Sequence, residues 1–374
     1  MSQPPGTPVM HRWAPVPPRN RTTWVLEMIG IALGSVGALA MLTLIAQMAG
    51  VAGTVTAGIL AFLPLVVVLL GIRWIDKWEP EPRLTLVAAF LWGAGVSTFI
   101  SLAFNSAFAA LAAQTSLSPF GQLVLATTVV APIVEETVKG LGVLGIFLLR
   151  RRFFDGPVDG IVYAATVAAG FAFVENVLYF AQAPEALAAV FIGRAVMSPF
   201  AHAVFTAMTG IALGIASRQQ THLAWLWLFP LGLACATLLH ALWNFSTLSV
   251  SYIFLYFALQ VPMFLGLVGL VSWLRSRESA VIRRRLGEYA AAGWLAPHEV
   301  AMVASFSERR RARAWASQYG RGPQMTRFQR LATDLAYARE RAASGRVGPT
   351  SAAEQAHALE LLTRARQAIY AGLT

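Results

Sequence analysis

The sequence predicts an all-α, polytopic membrane helix bundle of about eight transmembrane helices, followed by a basic helical cytoplasmic extension. Three observations predict it. Hydrophobic residues make up 57% of the 374 and charged residues only 13%, about half the charged share of an ordinary soluble domain. The apolar residues come in runs of about 20, the length that crosses a bilayer as a helix. These runs lack both the one-sided stripe of a surface helix and the alternation of a half-buried strand. Positive charge, finally, falls in alternate loops between the runs.

The elements follow in order. Residues 1–23 are proline-rich with scattered arginine and lack the apolar core and cleavage site of a signal peptide, so a disordered cytoplasmic tail is expected there. Residues 24–274 form the membrane domain, with spans near 24–48, 57–75, 84–113, 120–149, 159–180, 187–216, 224–246 and 252–273. Arg12, Arg19 and Arg21, then Arg73, Lys77 and Arg83, then Arg150 to Arg152, Arg218, and Arg275 with Arg277 lie in the tail and in alternate connections. The loops near 50–56, 114–119, 181–186 and 247–251 contain no Lys or Arg. Both termini are therefore expected on the cytoplasmic face of the cell membrane. Trp24, Trp74, Trp78, Trp225 and Trp273, near span ends, read as interfacial anchors. The lone cysteine, Cys235, rules out an internal disulfide and a CxxC metal knuckle, and reads as a small buried apolar residue.

Residues 275–374 hold 17 Lys+Arg against 8 Asp+Glu, a net charge of +9 out of the chain's +11. Helices are expected near 296–317, 325–343 and 351–371, separated by Gly320, Gly322 and Pro323 and by Gly345, Gly348 and Pro349. A basic unit directly after the last span points to anionic lipid or a cytoplasmic partner; no nucleic acid is expected.

The informative residues are the ionisable ones at membrane depth, where each costs about 2.5–3.5 kcal/mol on insertion scales. Glu135, Glu136 and Lys139 lie in the fourth span, Glu175 in the fifth, His202 in the sixth and His240 in the seventh. Measured from the cytoplasmic ends of their helices, Glu135, Glu175, His202 and His240 all fall about 21–24 Å deep, in one layer. Lys139 stands three and four residues after the glutamates and can share a helix face with either. His240 and Asn244 are one turn apart, above Gly232 and Ala236; His202 shares a stripe with Ser198, Thr206 and Thr209. Arg194, nearer the outer interface, is expected to snorkel. Two histidines and a carboxylate are a common zinc set with one position left for water, and a further glutamate could act as base. A metal-free alternative activates water with a glutamate and stabilises the oxyanion with His and Asn. Adjacent helix residues point about 100° apart, so Glu135 and Glu136 are expected to divide the work: Glu135 as base, Glu136 holding Lys139.

These motifs resemble a known family. Glu135-Glu136-Thr137-Val138-Lys139 looks like the EExxK signature of the PrsW family of intramembrane proteases. Phe171-Ala172-Phe173-Val174-Glu175, followed by Asn176, looks like its FxxxE segment, and His202 and His240-Ala241-Leu242-Trp243-Asn244 look like its two histidine motifs. The family is distantly similar to CAAX-processing and bacteriocin-processing membrane proteases. The resemblance covers about residues 55–275. It implies catalytic Glu135 and Glu136, with Glu175, His202 and His240 completing the site as ligands of a divalent metal, zinc by preference, supported by Lys139, Asn176 and Asn244. It also implies a membrane protein or peptide substrate, such as an anti-sigma factor. Two other readings fit the residues alone: a transporter with a buried Glu/Lys/His relay, and a non-catalytic scaffold whose working part is the extension.

Overall fold

The computed structural model describes residues 21–151, 154–344 and 351–371. The tail expected over 1–23 lies outside the described residues as far as residue 20, and residues 21–23 are already helical. The two spans expected at 24–48 and 57–75 are the two helical arms of α1 Arg21–Ile75, which meet at Gly50 without the longer loop expected over 50–56. The interruption is Gly50 alone, at φ 71° and ψ 166°, in the left-handed half of backbone space that glycine enters at no steric cost. The chain reverses there. Gly34 of the first arm lies against the Leu91 backbone and Gly37 against Gly95, while Leu65 and Val68 of the second arm pack with Val162, Ala165 and Ala168. Gly93 touches the carbonyl of Val167, so both arms meet their neighbours at one level and run antiparallel.

The remaining rods are α2 Arg83–Ala112, α3 over residues 119–150, α4 Pro157–Gln182, α5 Leu187–Ser217, α6 Trp225–Thr247 and α7 Tyr252–Ala291. With α1 in two arms they make eight helical rods, and no strand occurs among the described residues. All these elements except α3 are long and apolar enough to cross a membrane, six in number; α3 carries Glu135, Glu136 and Lys139 in its middle. The chain is a multi-pass membrane protein. Large apolar side chains such as Leu33, Val36, Ile59, Leu70 and Leu238 point outward from the rods, as lipid solvation allows. Cys235 is among the exposed residues, contrary to its expected burial: in a bilayer an apolar neighbourhood marks the lipid face as readily as the core. Trp78, expected as an anchor, is only 5% exposed, whereas Trp24, Trp74 and Trp273 face outward.

α4 is the central rod, buried without interruption from Pro157 to Phe171. It crosses α5 at a pair of glycines: a Cβ on Gly160 would lie 1.9 Å from the Gly210 carbonyl oxygen, and one on Gly210 2.1 Å from that of Gly160. The backbones touch, and α5 is held at the spacing the site requires. Single π-helical turns interrupt the rods at 92–97, 126–130, 192–197 and 256–260; such turns re-aim side chains and recur at functional sites. α5 is broken outright at 198–200, where Ser198 (φ −132°, ψ 34°) leaves the helical region.

A second compact unit comprises residues 277–374. Beyond Ala291 it contains α8 Pro297–Val303, α9 Phe306–Gln318, α10 Gly322–Ala343 and α11 Ser351–Tyr370. The helix expected over 296–317 is thus two, divided where Ser305 caps α9 by accepting from the Glu308 amide. Val303, Phe328, Leu335, Leu362 and Ile369 are buried here. Arg309 is buried with them, donating to Val303 O at 2.7 Å and Thr333 Oγ1 at 2.6 Å.

Two outcomes are expected. Gly160→Val should separate α4 from α5 and destabilise the bundle by about 1–3 kcal/mol or more, seen as a lower midpoint in detergent unfolding; an unchanged midpoint would show that the crossing tolerates a side chain. The second concerns Asp76, in the turn after α1, whose carboxylate accepts from the Glu81 amide and whose burial pushes its pKa up to about 7. Because that value lies above the unfolded one, the folded state holds the proton more tightly. Its stabilising contribution is full below about pH 4 and is lost as pH rises through about 7. Asp76→Asn should therefore lose less stability than the wild type between pH 6 and pH 8 in the same assay.

Candidate active site

The site is built on the middle of α3. Glu135 and Glu136 lie just past the π turn at 126–130, on the helix Ala131–Arg150. Gly142 lets that helix close onto Trp92, whose indole donates to Val138 O at 2.9 Å. Glu136 and Lys139 are both 0% exposed, so their charged groups must find partners within the protein. They do. Glu136 Oε1 accepts from Lys139 Nζ at 2.5 Å and from His240 Nδ1 at 3.0 Å, and Oε2 accepts from the Thr206 hydroxyl at 2.9 Å. Since a carboxylate with three donors can only accept, the proton of His240 sits on Nδ1 and its Nε2 lone pair is left toward the cavity.

Lys139 has a second partner, donating to His202 Nδ1 at 3.2 Å, and lies over the Phe171 ring at 4.4 Å. That places the proton of neutral His202 on Nε2, which meets Glu175 Oε2 at 2.8 Å. α6 buries Gly232, Ala236 and His240, read from the sequence as one stripe, together with Leu228, and the His240 ring stacks on Phe205 at 4.8 Å. Asn244, one turn on, donates to Thr127 O at 2.8 Å, a carbonyl within the π turn of α3.

Arg194 departs from expectation. Instead of snorkelling outward, its guanidinium donates to Glu175 Oε2 at 2.5 Å and Asn176 Oδ1 at 2.7 Å, and covers the Tyr179 ring at 4.1 Å. The π turn at 192–197 carries it to this position. Its signal in the sequence was a charge deficit: three carboxylates at one depth had a single lysine among them. Asn176, expected as a supporting residue, orients this arginine. Tyr179 and Thr206 complete the set of contacts that residue-by-residue reading passed over or left unassigned.

The structure thus brings Glu135, Glu136, Lys139, Glu175, Asn176, His202, His240 and Asn244 around one cavity of about 270 Å³ or into its immediate support. Ligand-capable atoms of Glu135, His202 and His240 lie within 4.8 Å of one another. Glu175 stands beside this trio, engaged by Arg194 and His202. Glu135 Oε2 is buried, lies 3.8 Å from His240 Nε2, and has no hydrogen-bond partner among the described residues.

Comparison with known proteins gives one consistent result. The model of a family described as PrsW family intramembrane metalloprotease matches residues 81–267, a stretch that contains every residue of the cavity's polar set. The chain is 31% identical over 194 residues to "Protease PrsW" of Clostridioides difficile (strain 630), across 50% of this chain and 77% of that protein. It is 33% identical over 156 residues to "Protease PrsW" of Geobacillus kaustophilus (strain HTA426), across 40% of this chain and 63% of that protein. For "Protease PrsW" of Bacillus subtilis (strain 168) the figures are 32% over 146 residues, 38% and 63%. No solved structure matches the chain.

Removing Lys139 should leave the Glu136 carboxylate buried without its cation. Lys139→Met is expected to destabilise the bundle by about 3–5 kcal/mol, and the double variant Glu136→Gln, Lys139→Met by distinctly less, measured by unfolding in detergent. Equal losses in the two variants would mean that the pair carries no special energetic weight.

Proposed function

The chain belongs to the PrsW family of intramembrane metalloproteases, and we propose that it hydrolyses a peptide bond of a membrane-embedded protein at the cavity formed by Glu135, His202 and His240. The observation that carries this reading is Glu135 Oε2, buried and unpartnered among the described residues beside His240 Nε2. A polar atom in that state costs about 1–3 kcal/mol unless something fills the space before it.

A divalent cation fits that space. Two imidazoles and a carboxylate are a zinc donor set, and the three donor atoms lie within 4.8 Å of one another. Formal charge points the same way: three carboxylates face Lys139 and Arg194, leaving one negative charge uncompensated in apolar surroundings. Glu135 and His240 would hold the ion, with His202 joining them by giving up its bond to Lys139 or Glu175; when bound the ion supplies Lewis acidity and an acidified water. His240 is preset for this, its Nδ1–H committed to Glu136 and its Nε2 toward the cavity, the arrangement in which a second carboxylate orients a ligand histidine. Glu175, held by Arg194, is then the carboxylate left to take the water's proton and return it to the leaving amine.

A second reading is favoured by His202, both of whose ring nitrogens already have protein partners. Without an ion, Glu135 Oε2 itself takes the proton of the attacking water; the second amide proton of Asn244 is a donor for the oxyanion, and His240 joins it only once Nε2 is protonated. In both readings Glu136 positions and Glu135 is indispensable. Loop charge supports an orientation with both termini cytoplasmic.

Metal analysis and a cleavage assay on the purified wild type, Glu135→Gln and His240→Ala proteins test this. A stoichiometric divalent ion is expected in the wild type and its loss in His240→Ala, with cleavage of a membrane reporter reduced at least roughly 10²–10⁴-fold in both variants. An active wild type free of metal would select the second reading. Normal turnover by a folded Glu135→Gln protein would contradict both.

A further inference from the structure

A second cavity, of about 240 Å³, lies against the first, and nothing in the chemistry above uses it. The two share Ser198, Pro199, Ala201 and Trp243 in their walls. The shared wall is therefore the break in α5, with the Trp243 indole beside it. Irregular backbone at membrane depth is tolerated where it is packed in protein or lines a cavity, and this break does so on two sides. Tyr256 spans it from α7, its hydroxyl donating to Met197 O at 3.1 Å.

The far wall is apolar. Phe200, Val204, Met263 and Phe264 line it, and the same side chains join α5, α6 and α7 in one hydrophobic cluster. The exception is Gln260, on the π turn of α7. It is 3% exposed; its Nε2 donates to Ser246 Oγ at 2.5 Å, and its Oε1 has no partner among the described residues. A buried amide oxygen without a donor is destabilising, and in the wall of a cavity an incoming N–H can satisfy it.

We propose that this second cavity is a substrate subsite, taking an aliphatic or aromatic side chain next to the hydrolysed bond, with Gln260 available to a substrate backbone amide. The proposal rests on the protease reading and adds the substrate's chemical class to it. A bond open to attack lies in extended chain, where successive side chains point to opposite sides. With its carbonyl in the first cavity, the residue beside it passes Trp243 into the second. Size agrees: a dry cavity of about 150 Å³ lined by Leu, Ile and Phe accepts a benzene ring, so this one has room for a Leu, Met or Phe side chain. Charged and strongly polar side chains are excluded, because the Ser198 and Tyr256 hydroxyls already donate to Gly193 O and Met197 O and Gln260 cannot satisfy such groups by itself.

The test uses the full chain in detergent with synthetic 20-residue Leu/Ala membrane peptides in which one position is Ala, Leu, Phe or Lys. Cleaved bonds are read by mass spectrometry. The wild type should cut where one flanking residue is Leu or Phe. Met263→Trp, which fills the cavity without touching the polar site, should shift that preference to Ala by about tenfold or more in relative kcat/KM, as loss of room for a few methylenes does. Cleavage by the wild type without apolar preference at either flank, or an unchanged profile in an active Met263→Trp protein, would overturn the proposal. A second arm does not depend on turnover: p-benzoylphenylalanine in place of Val196, at the exposed rim of the cavity, in a Glu135→Gln background, should crosslink the Leu and Phe peptides and not the Lys peptide. Crosslinking without wild-type cleavage would sink the protease reading and leave the subsite standing; no selective crosslink would sink the subsite.

Discussion

The rest of this molecule depends on how three carboxylates are kept at the centre of an apolar bundle. An unpaired charge there is expensive, and its partners must be hydrogen-bonded as well as opposite in sign. The pair Glu136–Lys139, with neither member exposed, is the core of the solution. Each partner then reaches outward: the glutamate to Thr206 and His240, the lysine to His202. One buried ion pair thereby fixes the tautomers of both histidines. Arg194 plays the corresponding part for Glu175 from the other side. What is left over is Glu135, whose Oε2 is buried without a hydrogen-bond partner among the described residues.

That network constrains the backbone around it. α3, α5 and α6 must approach within hydrogen-bond reach, and the glycines at 142, 160, 210 and 232 allow close contact of α3 with α2, α4 with α5 and α5 with α6. The helices also depart from regularity where the site needs it. The π turn of α3 offers Thr127 O to Asn244, the π turn of α5 brings in Arg194, and the break at 198–200 opens wall space on both sides. Regular helices would leave these groups satisfied within themselves and turned away. Function here draws on local irregularity held by a rigid central rod.

Much of this was legible in the amino-acid order. Length of apolar run set the rods, and ionisable residues inside those runs marked the site, because lipid makes each of them costly enough to need a reason. The stripe of Gly232, Ala236, His240 and Asn244 was readable for the same cause: small residues and polar groups on a single helical face. Other features were not legible, for physical reasons. The turn between the first two spans was expected near 50–56, but not that it takes Gly50 alone, because a reversal on one glycine needs no polar loop. Arg194 lies near a span end, where an arginine that snorkels and one that turns inward look alike until the π turn is seen. Cys235 and Trp78 show the same ambiguity in opposite directions, since apolar surroundings describe lipid and protein interior equally well.

The central claim is that the adjacent glutamates are divided, with Glu136 holding the structure and Glu135 reserved for the reaction. The most direct measurement sets unfolding stability beside cleavage of a membrane reporter for Glu135→Gln and Glu136→Gln in the same detergent. The expected result is a separation: Glu135→Gln folds with near wild-type stability and does not cleave, whereas Glu136→Gln loses stability, because Lys139 is left buried without its anion. Equal stability in the two variants, or normal cleavage by Glu135→Gln, would contradict the account.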